Sequence, residues 1–374
     1  MNTLTTLPKL SGARVLVRVD YNVPFKGSKI ADTRRIDASF DTIRTILKKG
    51  GTPVLLAHLG DATGSLRPVA TYLSKTFPLV FITCDVTDNN IIELFAQVPK
   101  GAVILLENIR RYSEEEKNTT TFAKRLASFG TYYVNDAFSV SHRKHATIVG
   151  IPKYLPSFAG VQLTKEIAAL APVVAKPAHP FIFILGGAKF ATKIPLISRF
   201  IEVADSVIIA GALLNSFYKT LGFEVGDSVV EDGYERQIKA LMKYPKLLLP
   251  VDVIVLRSAK KVVCTPEEIQ KHDVIVDIGP QSVDLINEKI AKAKLVVWNG
   301  PTGWYEKGFT KATTDIATAI AKSSIKAVIG GGDTGVVVER ALNESHKKIF
   351  VSTGGGATID FLVNGSLVGI AALG

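Results

Sequence analysis

Residues 181–193 read Phe-Ile-Phe-Ile-Leu-Gly-Gly-Ala-Lys-Phe-Ala-Thr-Lys. Five apolar residues run straight into two glycines, the pattern of a strand buried on both faces of a parallel sheet. Gly186 and Gly187 permit a sharp turn and the close approach of a ligand. Lys189 and Lys193 fall four apart, on one face of the helix that should follow. Two ammonium groups beside a glycine turn at a helix N-terminus suit a phosphate. The same residues also suit an ordinary strand-to-helix turn with two solvated lysines.

The alternation continues in both directions. Residues 14–19, 53–58, 79–84, 102–107 and 131–134 are apolar and rich in β-formers, with helical patterns at 35–49, 68–75 and 120–129 between them. Residues 207–209, 247–255, 295–297, 327–329 and 349–351 repeat the rhythm after 181–185. Such a βαβ order predicts an α/β fold, parallel sheets with helices on both faces. The 374 residues suffice for two domains. The boundary is expected near 155–180, where a helix at 163–174 leads into Ala-Lys-Pro-Ala-His-Pro, a proline-punctuated linker.

Composition narrows the function. With 47% hydrophobic and 21% charged residues, the chain can bury a core and is not globally disordered. No apolar run approaches the ~18 residues of a membrane helix, and the first residues lack a signal-peptide pattern, which favours the cytoplasm. Cys84 and Cys264 are far apart, which argues against a zinc module or a disulfide framework. The net charge of +11 suits small phosphorylated metabolites or nucleic acid, but the basic residues form no tail or low-complexity run.

Ligands of open α/β sheets bind at the carboxyl ends of the strands. In the first half those positions carry Asp20, Tyr21 and Asn22; His58, Leu59, Gly60 and Asp61; Glu107 to Arg110; and Asn135 to Phe138, followed by Ser141 to His145. Arg35 opens the first long helix. Taken together, the arginines suit a phosphate or carboxylate, which Arg can hold bidentately. In the second half three further glycine-rich turns follow strands: Asn299-Gly300, leading to Glu306, Gly330-Gly331-Gly332-Asp333-Thr334-Gly335, and Ser352 to Ala357. They form a set of backbone anion cradles.

Gly330, Gly332 and Gly335 match G-x-G-x-x-G, but the next strand ends in Ser352-Thr353 rather than in the acid that would hold a ribose. A nicotinamide dehydrogenase therefore rests on three glycines alone. The Walker pattern, H-E-x-x-H, G-x-S-x-G and paired C-x-x-C are absent.

Several short motifs occur in one family's order. They are Arg-Val-Asp-Tyr-Asn-Val-Pro (18–24), His-Leu-Gly (58–60), Ser-Leu-Arg-Pro-Val-Ala (65–70), Leu-Leu-Glu-Asn-Ile-Arg (105–110), Val-Asn-Asp-Ala-Phe (134–138) and His-Arg-Lys-His-Ala (142–146). Leu-Gly-Gly-Ala-Lys (185–189), Val-Trp-Asn-Gly-Pro-Thr-Gly (297–303), Gly-Gly-Gly-Asp-Thr (330–334) and Ser-Thr-Gly-Gly-Gly-Ala (352–357) complete the set. The chain resembles phosphoglycerate kinase nearly end to end. The resemblance implies two Rossmann-like three-layer domains joined by a helix and hinge. It places a phosphoglycerate domain at 1–160, a connector at 161–180, a nucleotide domain at 181–351 and a segment, 352–374, that returns across the hinge.

By that resemblance Asp20, Asn22, Arg35, His58, Arg110 and Arg143 line the phosphoglycerate site. Lys189 and Arg35 meet the phosphoryl group in flight, and Gly354, Gly355 and Gly356 present helix N-terminal amides. Gly187, Lys193, Gly211, Asn299, Glu306, Gly331, Gly332 and Thr334 serve ATP or ADP, with Asp333 as the Mg²⁺ ligand. The implied partners are 3-phosphoglycerate or 1,3-bisphosphoglycerate and the nucleotide, with no membrane, no specific nucleic acid and a monomeric chain. A degenerate relative that only binds nucleotide or nucleic acid is the alternative. Retention of Lys189, Lys193, Asp333, Glu306 and Arg35 together favours the enzyme.

One departure bears on affinity. The family carries an arginine after His-Leu-Gly; this chain has Asp61, in a shortened loop. At ~5 Å and an effective dielectric of about 20, one unit charge is worth roughly 3 kcal/mol. A carboxylate at the substrate phosphate would weaken binding, and Asp61→Arg would tighten it; a carboxylate turned away would leave it unchanged. Spacing does not choose among Arg34, Arg67 and Arg111 as a compensating cation. Ala210-Gly211-Ala212 is also less glycine-rich than usual beside the base pocket.

Overall fold

The first apolar run forms strand β1 (Arg14–Arg18), followed by a small hairpin, β2 (Phe25–Lys26) and β3 (Lys29–Ile30). Strands β4 (Thr52–Leu56), β5 (Leu79–Ile82), β6 (Val103–Leu106), β7 (Tyr132–Asn135) and β8 (Ser157–Ala159) join β1 in a six-stranded sheet ordered β5-β6-β4-β1-β7-β8. Every pairing in it is parallel. The computed structural model describes residues 1–27, 29–341 and 348–374, without the side chains of Asp333 and Ala341. The chain divides into two units, residues 1–168 with 366–374, and residues 169–365.

In the first unit the central strands are buried on both faces, as their unbroken apolar runs require. Val15, Val17, Ile43, Leu55, Leu73 and Leu105 anchor its core. The expected helix at 35–49 is two pieces, Arg34–Asp37 and Phe40–Lys48. Tyr21 explains the break: its hydroxyl is 2.9 Å from the Ser39 hydroxyl, which donates to the Ile36 carbonyl at 2.7 Å. Helix Val161–Ala175 starts in this unit, and its last residues belong to the other.

The second unit holds β9 (Phe181–Leu185), β10 (Ser206–Ile209) and β11 (Leu247–Leu248). An antiparallel sheet follows, β12 (Val253–Arg257), β13 (Lys260–Cys264) and β14 (Val274–Ile278), in the order β13-β12-β14. Then come β15 (Leu295–Asn299), β16 (Lys326–Gly330) and β17 (Ile349–Val351). The parallel sheet is ordered β11-β10-β9-β15-β16-β17, a doubly wound arrangement whose order reverses between β9 and β15. The expected single strand at 247–255 is therefore two strands in two sheets. Pro250 stands between them, where it offers no amide to a ladder. The antiparallel sheet was not anticipated, because β13 is mostly exposed.

Candidate active sites in the two units

In the first unit, the loops after β1, β4, β6 and β7 carry a cluster of cations. Arg18, the last residue of β1, is 1% exposed. Its Nη2 lies 3.1 Å from His58 Nδ1, and its Nε donates to Thr147 Oγ1 at 2.9 Å. Burial, then Arg18, Arg110, Arg143 and His145, push His58 down to about 2. His58 is thus neutral, and since a guanidinium only donates, Nδ1 accepts and Nε2 carries the hydrogen. Burial and the same arginines hold His145 down at about 4. Burial, then Arg110, lowers Arg143. Glu115, buried beneath, accepts from Thr147 N at 2.9 Å and from Thr147 Oγ1 at 2.5 Å, and is the cluster's buried counter-charge.

A second arc joins Arg35 to Arg110. Arg35 Nη1 pairs with Asp20 Oδ2 at 3.1 Å and donates to the Asn22 carbonyl at 3.1 Å. Asn22 N donates to Asp20 Oδ1, and Gly60 N donates to Asn22 Oδ1 at 2.9 Å. Arg110 Nη1 donates to the Gly60 carbonyl at 3.0 Å, while its Nε faces Glu116 at 3.2 Å. The structure thus brings together Asp20, Asn22, Arg35, His58, Arg110 and Arg143 in one unit. Arg18 and His145 join them and were missed. Their signals were an arginine ending an apolar strand run and a second histidine in His-Arg-Lys-His.

Asp61 is not part of this group. Its carboxylate accepts from Thr63 N at 2.8 Å and Thr63 Oγ1 at 2.6 Å, and those bonds hold it below the usual carboxylate range. The three candidate substitutes for the family's arginine are also engaged elsewhere. Arg34 grips Asp32, Arg67 lies over the Phe81 ring, and Arg111 faces Glu107 at 3.4 Å.

In the second unit the strand ends meet where the sheet order reverses. Gly186 N donates to the Asn299 carbonyl at 2.9 Å and Gly187 N to the Pro301 carbonyl at 3.1 Å. A Cβ on Gly186 would meet the Pro301 oxygen at 2.1 Å, so only glycine lets these loops touch. Lys189 precedes helix Phe190–Val203 in extended conformation, and so does not share a helical face with Lys193. Lys193 Nζ bonds Asn299 Oδ1, and burial lowers Lys193 to about 8.

A cavity of about 460 Å³ opens beside these turns, lined by Gly187, Lys189, Gly211 and Glu306. Its far wall is Val274 to Ile278 of β14, with Trp304, Leu214 and Asn215. That wall belongs to the antiparallel sheet and had no sequence signal. Buried Asp277 ties the wall to the loops: its carboxylate accepts from Thr302 Oγ1 at 3.0 Å and from Ala312 N at 3.3 Å, and burial pushes it up to about 6. Asn299, Gly331, Gly332 and Thr334 lie at the ends of β15 and β16, outside that lining. Gly354 and Gly355 lead from β17 into helix Gly356–Asn364. The Asp333 side chain, expected as the metal ligand, lies outside the described residues. Among the described residues, Thr334 Oγ1 is buried with no hydrogen-bond partner.

A mostly apolar cavity beside glycine turns in one unit, and a cluster of cations suited to an anion in the other, fit an α/β phosphotransferase of small metabolites. Residues 4–365 match the phosphoglycerate kinase family. The phosphoglycerate kinase of Dictyoglomus turgidum is 40% identical over 382 residues, covering 97% of this chain and 96% of the relative. That of Clostridium beijerinckii is 40% identical over 379 residues, covering 98% and 97%. Two solved phosphoglycerate kinases share the fold. The Coxiella burnetii structure has a TM-score of 0.85 at 32% identity, covering 99% of this chain and 97% of that one. The Pyrococcus horikoshii OT3 structure has a TM-score of 0.88 at 28% identity, covering 100% and 98%. The chain belongs to the phosphoglycerate kinase family. It is a phosphotransferase with a carboxyl group as acceptor, and moves the acyl phosphate of 1,3-bisphosphoglycerate to ADP in glycolysis.

Proposed function

We propose that the two sites are the two halves of one phosphoryl-transfer centre, the first taking 3-phosphoglycerate or 1,3-bisphosphoglycerate and the second ADP or ATP. The observation that carries this reading is the cationic cluster around His58, where Arg18 Nη2 lies 3.1 Å from Nδ1 and burial, then Arg18, Arg110 and Arg143, keep the ring neutral. A site so positive is built for a multiply charged anion. Arg110, Arg143 and the Nε2–H of His58 bind the phosphoglycerate, and Asp20 and Asn22 orient its hydroxyl and Arg35. Arg35 and Lys189 stabilise charge on the transferring group, with the amides at Gly354, Gly355 and Gly356. Lys193, Asn299 and Thr334 serve the nucleotide phosphates, with the turn at Gly331 and Gly332, while Gly187 and Gly211 border the base and Glu306 the ribose. Transfer needs positioning and charge stabilisation more than covalent help.

Mg²⁺ fits this arrangement. Among the described residues no three acidic, histidine or cysteine side chains cluster so that they could hold a metal ion. One carboxylate plus nucleotide phosphates is the usual binding for this ion, and the orphaned Thr334 hydroxyl is an unmet polar group at the same turn. Asp333 would hold the ion, which would neutralise nucleotide oxygens. The domains act as 1–160 and 181–351, joined by 161–180, with 352–374 returning across the hinge; residues 366–374 group with the first unit, whereas 352–365 group with the second. Closure over both substrates excludes water. The enzyme works as a cytoplasmic monomer and reads no nucleic acid. No helix among the described residues is long and apolar enough to cross a membrane.

The test is acyl-phosphate formation from 3-phosphoglycerate and Mg-ATP, trapped with hydroxylamine, with Lys189→Ala as control. Turnover that the control loses supports the reading. No turnover, with Mg-ADP still bound, refutes the assignment of the first site.

A further inference from the structure

The loop after β4, residues 59–64, joins the two arms of the anion cluster. Through Gly60 it takes a hydrogen bond from Arg110 and gives one to Asn22, whose carbonyl holds Arg35. Its own shape is set from below by one side chain. Asn108 is fully buried. Its Nδ2 donates to the carbonyls of Leu59 at 2.9 Å, Asp61 at 2.8 Å and Gly64 at 2.9 Å. Two hydrogens serve three acceptors, so one is shared. Its Oδ1 accepts from Leu59 N at 3.2 Å and from Arg110 N at 3.1 Å. One amide therefore fixes both the loop that Arg110 leans on and the backbone from which Arg110 springs.

Glu107 completes the grip. Its Oε1 accepts from Leu66 N at 2.7 Å and its Oε2 from Ser65 Oγ at 2.8 Å, so the far end of the loop is held by the neighbouring residue. The amide cannot be inverted: its three carbonyl neighbours demand a donor and its two N–H neighbours demand an acceptor. Every polar group of Asn108 is used within the protein, so it has nothing to offer a ligand.

We propose that Asn108 is the positioning residue of the phosphoglycerate site, setting substrate affinity by fixing loop 59–64 and the Arg110 guanidinium in one geometry. This rests on the reading of the first unit as the phosphoglycerate half. It also explains how the shortened loop keeps its shape. The Asp61 carbonyl is an anchor point for Asn108, while the Asp61 carboxylate only closes the turn onto Thr63. A guanidinium moved off its anion forfeits a charge-assisted hydrogen bond, roughly ten- to a hundredfold in Kd.

The experiment is calorimetric titration of the full chain with 3-phosphoglycerate and, separately, with Mg-ADP, for the parent, Asn108→Ala, Arg110→Ala and the double variant. The expected result is 3-phosphoglycerate Kd raised ten- to a hundredfold in Asn108→Ala, Mg-ADP Kd within twofold, and no more than threefold further loss when Asn108→Ala is added to Arg110→Ala. Unchanged 3-phosphoglycerate affinity in Asn108→Ala overturns the proposal, as does a full loss added on top of Arg110→Ala. Gly64→Ala is the second probe, should Asn108→Ala not fold. A Cβ there would meet the Leu59 carbonyl oxygen at 2.4 Å, shifting the loop with Asn108 intact. It should reproduce the same selective loss, and parent-like 3-phosphoglycerate affinity in Gly64→Ala overturns the proposal too. A parent chain that binds Mg-ADP but not 3-phosphoglycerate would instead defeat the underlying assignment of the site.

Discussion

Asp136 offers a quantitative test of how the first unit is held together. It follows β7, is 4% exposed, and its Oδ1 accepts from Gln162 N at 2.8 Å and Leu163 N at 3.2 Å, at the start of helix Val161–Ala175. Burial outweighs those bonds and Lys165, and pushes its carboxyl up to about 7 from the ordinary 3.8. The folded unit therefore keeps a proton that the unfolded chain has already released over that range. Stability from this group is greatest below about pH 4 and is lost as pH rises through 7. Three pH units at about 1.4 kcal/mol each make the full loss on the order of 4 kcal/mol, of which roughly 3 kcal/mol falls between pH 5 and pH 8. Asp136→Asn keeps a carbonyl for the helix amides and cannot ionise, so its stability lacks that slope. Hydrogen exchange of the β1 and β7 amides reports opening of the first unit alone. The opening free energy of the parent, relative to the variant, should fall by roughly 2–3 kcal/mol from pH 5 to pH 8. Parallel profiles would refute the claim that burial governs this carboxyl.

Lys193→Met should weaken Mg-ADP binding at least tenfold and leave 3-phosphoglycerate binding unchanged by calorimetry. Because burial sets Lys193 near 8, its charge is lost as pH rises through that value, so the nucleotide KM of the parent should climb above pH 8 while that of the variant stays flat. Asp277 ionises near 6, so protonation below that pH should loosen its hold on Thr302 and Ala312 and raise the nucleotide KM. Asp277→Asn should show the raised KM at every pH, and a parent-like acid limb in the variant would discount this role. Asp61→Ala should change the 3-phosphoglycerate Kd less than threefold, since its carboxylate is spent on Thr63; tightening beyond tenfold would place the carboxylate at the substrate.

Much of the fold was legible because parallel strands buried on both faces leave unbroken apolar runs. Residues 181–185 and 295–297 read as strands for that reason, and they fall in β9 and β15. The exposed strand Lys260–Cys264 left no such run. With it went the whole wall of the cavity at Val274 to Ile278, since a pocket wall is made by tertiary packing rather than by a local motif. The charged positions after β1, β4 and β6 were legible because strand ends are where ligands bind. The direction of one charge was harder. Asp61 could be seen as an anion in the wrong place, yet its orientation depends on Thr63, two residues on, where Asp-x-Thr is the signature of a side chain that closes its own turn. Arg18 was quoted within its motif but sits inside a strand, where an arginine reads as a solvated edge until the buried Glu115 and Thr147 beneath it are seen.

The positive cluster shows how the first unit trades stability for affinity. Burial lowers Arg18, and burial and then Arg110 lower Arg143, so the guanidinium groups are held in an environment that resists their charge. Salt bridges offset this only in part: Asp20 pairs with Arg35, and Glu116, which faces Arg110, is itself half exposed and screened by solvent. The buried counter-charge is Glu115, whose own carboxyl is pushed up by burial and held by Thr147. A surface charge can relax into water, but Arg18 at 1% exposed cannot. The repulsion is therefore stored in the folded unit; on the proposed reading of the site, an arriving phosphate would relieve it at several arginines together. The framework must keep those cations from drifting apart in the empty state. That explains why the loop between Arg110 and Arg35 is pinned through a saturated, uncharged amide: a charged residue at Asn108 would either add to the repulsion or neutralise the field that the substrate is meant to meet.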